Sequence, residues 1–170
     1  MIKNALTGLL FLLLITGCKL QRISYDLNGA SIPAGTATAE VPYFQNRASV
    51  VQPMLSRNLT EELKDKIQSQ TNLKLVNESG DAVFEGEITG YTVSPAAITG
   101  ENIAAKNRLT ISVRVKYSNS KDAQYDYDTT FSRFADFDSN QSIDAVESQL
   151  MEEISELLIE DIFNKAFVNW

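Results

Sequence analysis

The chain has 170 residues, with 15 lysines and arginines against 22 aspartates and glutamates, no histidine and a single cysteine. A formal charge of −7 excludes a general nucleic-acid binder, which would carry a basic stripe. Without histidine the commonest metal ligand and the commonest general base are both missing, so an enzyme of this composition would run on carboxylates, serine, lysine or tyrosine.

The first segment has one positive charge at Lys3, an apolar core from Leu9 to Ile15, and the small residues Thr16 and Gly17 before Cys18. That is the order of a secretory signal. The run Ala5 to Gly17 is too short to span a bilayer, which takes about 20 residues. Ile15, Thr16, Gly17 and Cys18 resemble a bacterial lipobox, whose cysteine is acylated and becomes the first residue of the mature protein. A lone cysteine has no intramolecular disulfide partner, and without histidine it has no imidazole to activate it, so Cys18 is expected to be a lipid anchor. Several acyl chains would hold it stably, since each buried methylene contributes about 0.8 kcal/mol. Lys19 rather than an aspartate follows. By analogy with lipoprotein sorting, this points to the outer membrane and its periplasmic face. The expected organisation is a cleaved signal at 1–17, a lipidated tether at 18–37 and one domain at 38–170. Removing the signal takes the charge from −7 to −8 and leaves 153 residues, enough for one core.

The tether is polar, with a short extended piece around Ile23 to Leu27. Thr38 to Phe44 alternates, with Ala39, Val41 and Tyr43 on one side, and Pro42 predicts a short or edge strand. Pro53 suits a first helical turn. Leu55, Leu59, Leu63 and Ile67 then give one apolar stripe, with Glu61, Glu62, Lys64 and Asp65 toward water and an end near Thr71. Leu73 to Asn77 and Ala82 to Val93 read as a hairpin joined by Glu78 to Asp81.

Arg108 to Tyr117 is the clearest strand. Leu109, Ile111, Val113, Val115 and Tyr117 face one way; Arg108, Thr110, Ser112, Arg114 and Lys116 face the other. Tyr125, Tyr127 and Phe131 continue the apolar face on the next strand, with Asp126, Asp128, Thr130 and Ser132 opposite. A register with Tyr117 opposite Tyr125 would pair Lys116 with Asp126 and Arg114 with Asp128. A final helix, Ile143 to Ala166, turns Ile143, Val146, Leu150, Ile154, Leu157, Ile162 and Phe163 inward and Glu147, Glu152, Glu153, Glu156 and Glu160 outward. The fold class is therefore α+β: a two-layer sandwich with two helices on one face of a mostly antiparallel four- to five-stranded sheet, whose other face is polar.

Three constellations could carry chemistry. Asp136 to Glu147 resembles a calcium loop, with Asp136, Asp138, Asn140, Asp144 and Glu147 at ligand positions. Gln141 stands where the turn wants glycine, however, and the plainer reading is a polar loop in which Ser142 caps the last helix. Glu85 and Glu87 beside Asp126 and Asp128 could form a carboxylate pair for glycosidic chemistry, or simply a solvated face. Arg108, Arg114 and Lys116 could bind phosphate, or be satisfied by their acidic neighbours; the loop Pro95 to Asn107, with Lys106, is a second candidate ligand region.

Read in order, YDLNGASIP (Tyr25 to Pro33), LTEELKDKIQSQTNLKLV, DAVFEGEITGYTVSP, NRLTISVRVKY and the closing IEDIFNKAFVNW resemble the LptE family of lipopolysaccharide-assembly lipoproteins. The resemblance covers almost the whole mature chain and lies closest to a divergent branch. It implies two helices on a mostly antiparallel sheet, and a lipoprotein that sits in a large outer-membrane β-barrel (an LptD-like translocon), helps it assemble and passes lipopolysaccharide outward. The favoured expectation is thus a barrel partner without enzymatic activity, and no cofactor or metal is expected. The competing expectation is a stand-alone lipoprotein acting as a small-ligand binder or a carboxylate-based glycan hydrolase.

Overall fold

The computed structural model describes residues 32–96 and 106–168. The signal, Cys18, the Ile23–Leu27 piece and most of the loop after Pro95 lie outside the described residues.

The sheet is built on β5 (Lys106–Asn119), flanked by β4 (Ala82–Pro95) and β6 (Tyr127–Asp138), both antiparallel to it. Alternation in β5 buries Leu109, Ile111, Val113, Val115 and Tyr117 and leaves its cations on the polar face, as expected. In β4 a bulge between Ile88 and Gly90 shifts the frame by one residue, so Phe84, Ile88 and Tyr91 all reach the core. Tyr117 lies opposite Tyr127, not Tyr125. A short 3₁₀ turn at Ala123–Tyr125 takes up the two residues of difference, and a slip of two preserves which face each side chain occupies.

The expected hairpin from Leu73 to Val93 does not form. β1 (Thr38–Glu40) lies between β3 (Lys74–Val76) and β4 and runs parallel to both, so β3 and β4 point the same way. The link 77–81 must pass over β1. Ser79 adopts a positive φ of 58° there, and Gly80 crosses so closely that a Cβ would stand 2.7 Å from that of Glu40. Asp81 fastens the crossing, accepting from the Ala37 N–H (2.9 Å) and the Thr38 hydroxyl (3.0 Å). With Lys121 paired to it at 2.8 Å, its carboxyl is held far below the usual range, first by Lys121 and then by these donors.

Pro42 interrupts the ladder between β1 and β2 (Gln45–Asn46), which also pairs parallel with β4. The break changes the frame. Phe44 is fully buried and Tyr43 is 53% exposed, the reverse of simple alternation. The result is a mixed sheet in the order β3-β1-β4-β5-β6, with β2 beside β4; β1 is an interior strand, not an edge.

Both helices cover one face, completing the expected α+β sandwich. In α1 (Pro53–Gln70) the stripe Leu55, Leu59, Leu63 and Ile67 is fully buried. In α2 (Ile143–Phe167) Leu157 faces out, 41% exposed, while Met151, Ser155, Leu158, Ile159, Ala166 and Phe167 join the core. A helix this apolar gives no single narrow stripe to read. Ser142 does precede it, but its side chain makes no capping bond.

Glu62, expected in water, is half-buried between the helices, where burial and then Glu152, Glu156 and Asp65 push its carboxyl up to about 7. A raised acid pKa means that the folded state holds the proton more tightly, so this group costs stability as pH rises from about 4.5 through 7 and costs nothing below. Glu62→Gln is expected to raise the melting temperature at pH 7.5, with the gain shrinking toward pH 4.5. Melting curves of both proteins across that range check it, and a gain that is constant with pH would mean that Glu62 is not the titrating group.

Candidate functional site

The polar sheet face carries the three cations of β5, and each is already engaged. Arg108 forks onto Asp136 at 2.7 and 2.9 Å while its guanidinium lies 3.5 Å from the centre of the Phe134 ring. Arg114 forks onto Asp128 at 2.7 and 2.6 Å, and Lys116 donates to Glu85 at 2.9 Å. Asp126, expected opposite Lys116, instead accepts from the Asn119 N–H. These bonds hold Asp128 and Asp136 below the usual carboxylate range, in each case first through the hydrogen bond from its arginine.

Arg114 and Lys116 are brought together in a groove of about 340 Å³, lined also by Gln45, Arg47, Glu85, Glu87 and Asp128. Arg108 is not part of it. It sits six residues along β5, over Phe134, which belongs to the polar face and is 48% exposed. The groove adds one residue that sequence reasoning missed, Arg47, paired with Glu87 at 3.2 Å. Its place depends on the parallel pairing of β2 with β4, forty residues away, and no local pattern announces that.

Charge in the groove is balanced: Arg47, Arg114 and Lys116 against Glu85, Glu87 and Asp128. Each carboxylate considered for glycosidic chemistry has a bonded partner, so none stands as a free pair. An arginine fork that holds carboxylate has the geometry to hold phosphate. The ion pairs are solvent-exposed, with Arg114 at 55% and Asp128 at 43%, and therefore easily exchanged.

The calcium reading of Asp136 to Glu147 is overturned by geometry. Asp136 is on the polar face with Arg108. Glu147, expected on the outer side of the last helix, is on the helix side of the sheet, accepting from the Tyr91 hydroxyl at 2.5 Å and the Gln52 amide at 2.8 Å. Burial and then the bond to Glu147 raise the Tyr91 phenol far above its usual range, so it stays a donor. Among the described residues no cluster of three acids, or of acids with cysteine, could hold a metal ion.

Comparison with known proteins gives the following. The family described as LptE, lipopolysaccharide-assembly, matches residues 36–166. No curated protein matches the sequence. Among solved structures, hypothetical protein CT253 from Chlamydia trachomatis is similar with a TM-score of 0.51 and 11% identity, over 79% of this chain and 99% of that one. A Helicobacter pylori protein described as a neuraminyllactose-binding hemagglutinin homolog is similar with a TM-score of 0.54 and 7% identity, over 84% of this chain and 89% of that one. At such identities these two establish the fold alone. The family match spans the described body from just before β1 to the last turn of α2, and on that ground the chain belongs to the LptE family of lipopolysaccharide-assembly proteins.

Proposed function

We propose that this protein is an outer-membrane lipoprotein, anchored through Cys18 on the periplasmic face, that partners a large β-barrel in lipopolysaccharide assembly and export. The family match over residues 36–166 carries the reading. The ITGC sequence ending at Cys18 supports the anchor, with residues 1–17 removed, 18–37 as tether and 38–170 as the domain. The role is positional rather than catalytic. Where the protein meets lipopolysaccharide, the phosphates fall to Arg108, Arg114 and Lys116, which exchange carboxylate for phosphate on the open sheet face.

The test uses the full-length, tagged chain, extracted in detergent from a Gram-negative envelope. Wild type is expected to sediment with outer-membrane vesicles and to elute with a heat-modifiable β-barrel and bound lipopolysaccharide, and Cys18→Ser to appear unprocessed or soluble. Elution without a barrel overturns the partnership, and Cys18→Ser sedimenting like wild type overturns the anchor.

A further inference from the structure

A sheet that is not closed into a barrel must manage its edges, because each presents a row of unpaired backbone N–H and C=O groups. Two edges of this sheet are blunted. β3 is three residues long. β6 is long, but it turns a charged side chain, Arg133, to the helix face opposite Ile111, where it forks onto Asp161 of α2 at 2.6 Å. Asp128, Asp136 and Asp138 charge its other face. An inward charge and a charged face are the devices by which edge strands refuse new partners.

A third edge carries neither charge device, although the bulge at Ile88/Gly90 opens it and Pro95, which has no N–H, ends it. β2 covers β4 only as far as Asn46 opposite Ile88, with one further bond from the Arg47 N–H to the Ile88 carbonyl. The chain then turns away into α1. From Thr89 to Pro95, β4 has β5 on one side and, among the described residues, no strand on the other. No residue from Ile88 to Ala96 is charged. Val93 projects to the helix side, opposite Leu109, and is 43% exposed. The loop after β2 borders the same edge, since Gln52 and Tyr91 share the carboxylate of Glu147. Val50, Val51 and Met54, neighbours of Gln52 in the chain, are exposed apolar side chains.

We infer that the open edge of β4, Thr89–Pro95, is a slot for an extended, largely uncharged strand of a partner protein, which continues the sheet where β2 leaves it. A partner's main chain would supply the hydrogen bonds, and alternate side chains would meet Val93 on the helix side. A lipid surface is the wrong occupant. Acyl chains offer nothing to free N–H and C=O groups. The slot also lies at the far end of the sheet from Thr36 and Ala37, which are tied to Asn119 and Asp81; the 14 residues of β5 put about 45 Å between the two ends. The inference leans on the proposed function only for the partner's identity, a strand of the barrel or of a domain attached to it.

The experiment places a benzophenone side chain at position 93, and separately at position 134 as a control, in the full-length tagged protein in cells. Irradiation is expected to join position 93 to the barrel partner at one short segment, identified by mass spectrometry, and to leave position 134 without that adduct. Val93→Lys, which installs the missing edge charge, is expected to lower barrel co-elution about tenfold, as would Thr92→Lys on the polar side. Circular dichroism confirms that the variants are folded. An adduct at position 93 with a non-barrel protein, also abolished by Thr92→Lys, keeps the slot and removes the barrel as its occupant. No protein adduct, or one only with a second copy or the protein's own residues 18–31, overturns the slot, as does undiminished co-elution of both lysine variants.

Discussion

Truncating Phe84 to alanine is expected to lower the unfolding free energy by about 3–5 kcal/mol, the usual loss for a buried aromatic ring. Phe84 has no exposed surface and holds together three elements: its ring centre lies 4.8 Å from that of Tyr117 on β5 and 5.7 Å from that of Phe167 at the end of α2. Tyr117 in turn stacks on Tyr127 of β6 at 5.4 Å. Removing the central ring leaves a void that neighbouring aromatics, fixed by one another, cannot collapse to fill. Urea titration should show a lower midpoint at unchanged slope. An unchanged midpoint would mean that α2 does not close on the sheet in solution as it does here.

Adding one methyl group at Gly86 should also destabilise, by about 1–3 kcal/mol, for the opposite reason of overfilling. A Cβ built there would lie 2.3 Å from the Cζ of Phe44, inside the van der Waals surface of the ring. Phe44 cannot step aside: it is fully buried, and its N–H donates to the Thr60 hydroxyl at 3.0 Å. The glycine is thus a seat for the ring. A double change, Gly86→Ala with Phe44→Leu, should cost less than the sum of the two singles, because the smaller side chain vacates the contested space. Strict additivity in urea titrations would show that the overlap is not the cause.

Where pattern and partner lie close in sequence, the fold was legible. The period-two run of β5 and the four-residue spacing of Leu55, Leu59, Leu63 and Ile67 each report a one-sided environment, and both are buried as read. The Arg114–Asp128 pair was also anticipated, although it forms diagonally, because Arg114 lies opposite Thr130. The insertion of β1 between β3 and β4 was not legible. Its three residues pair with segments about forty positions away, and a turn-like sequence at 78–81 serves a crossing as well as a hairpin. The groove inherits that blindness, since one side of its wall, Gln45 and Arg47, arrives through equally distant parallel pairing. Glu62 was misplaced because helical spacing tells which residues share a side, not how near a second helix comes.

The interior position of β1 sets how the body answers a pull from its own N-terminal side. Any tension arriving through the residues before Ile32 meets first the Thr36–Asn119 and Ala37–Asp81 bonds, and then a strand gripped by parallel neighbours on both flanks. Force along that strand loads both ladders in shear, so their bonds must fail together; a strand at the border of the sheet could be peeled away one bond at a time. A protein tethered at this end would therefore bear load through the middle of its sheet, and the α1–α2 layer and the far end of β4 would stay undisturbed until β1 gave way.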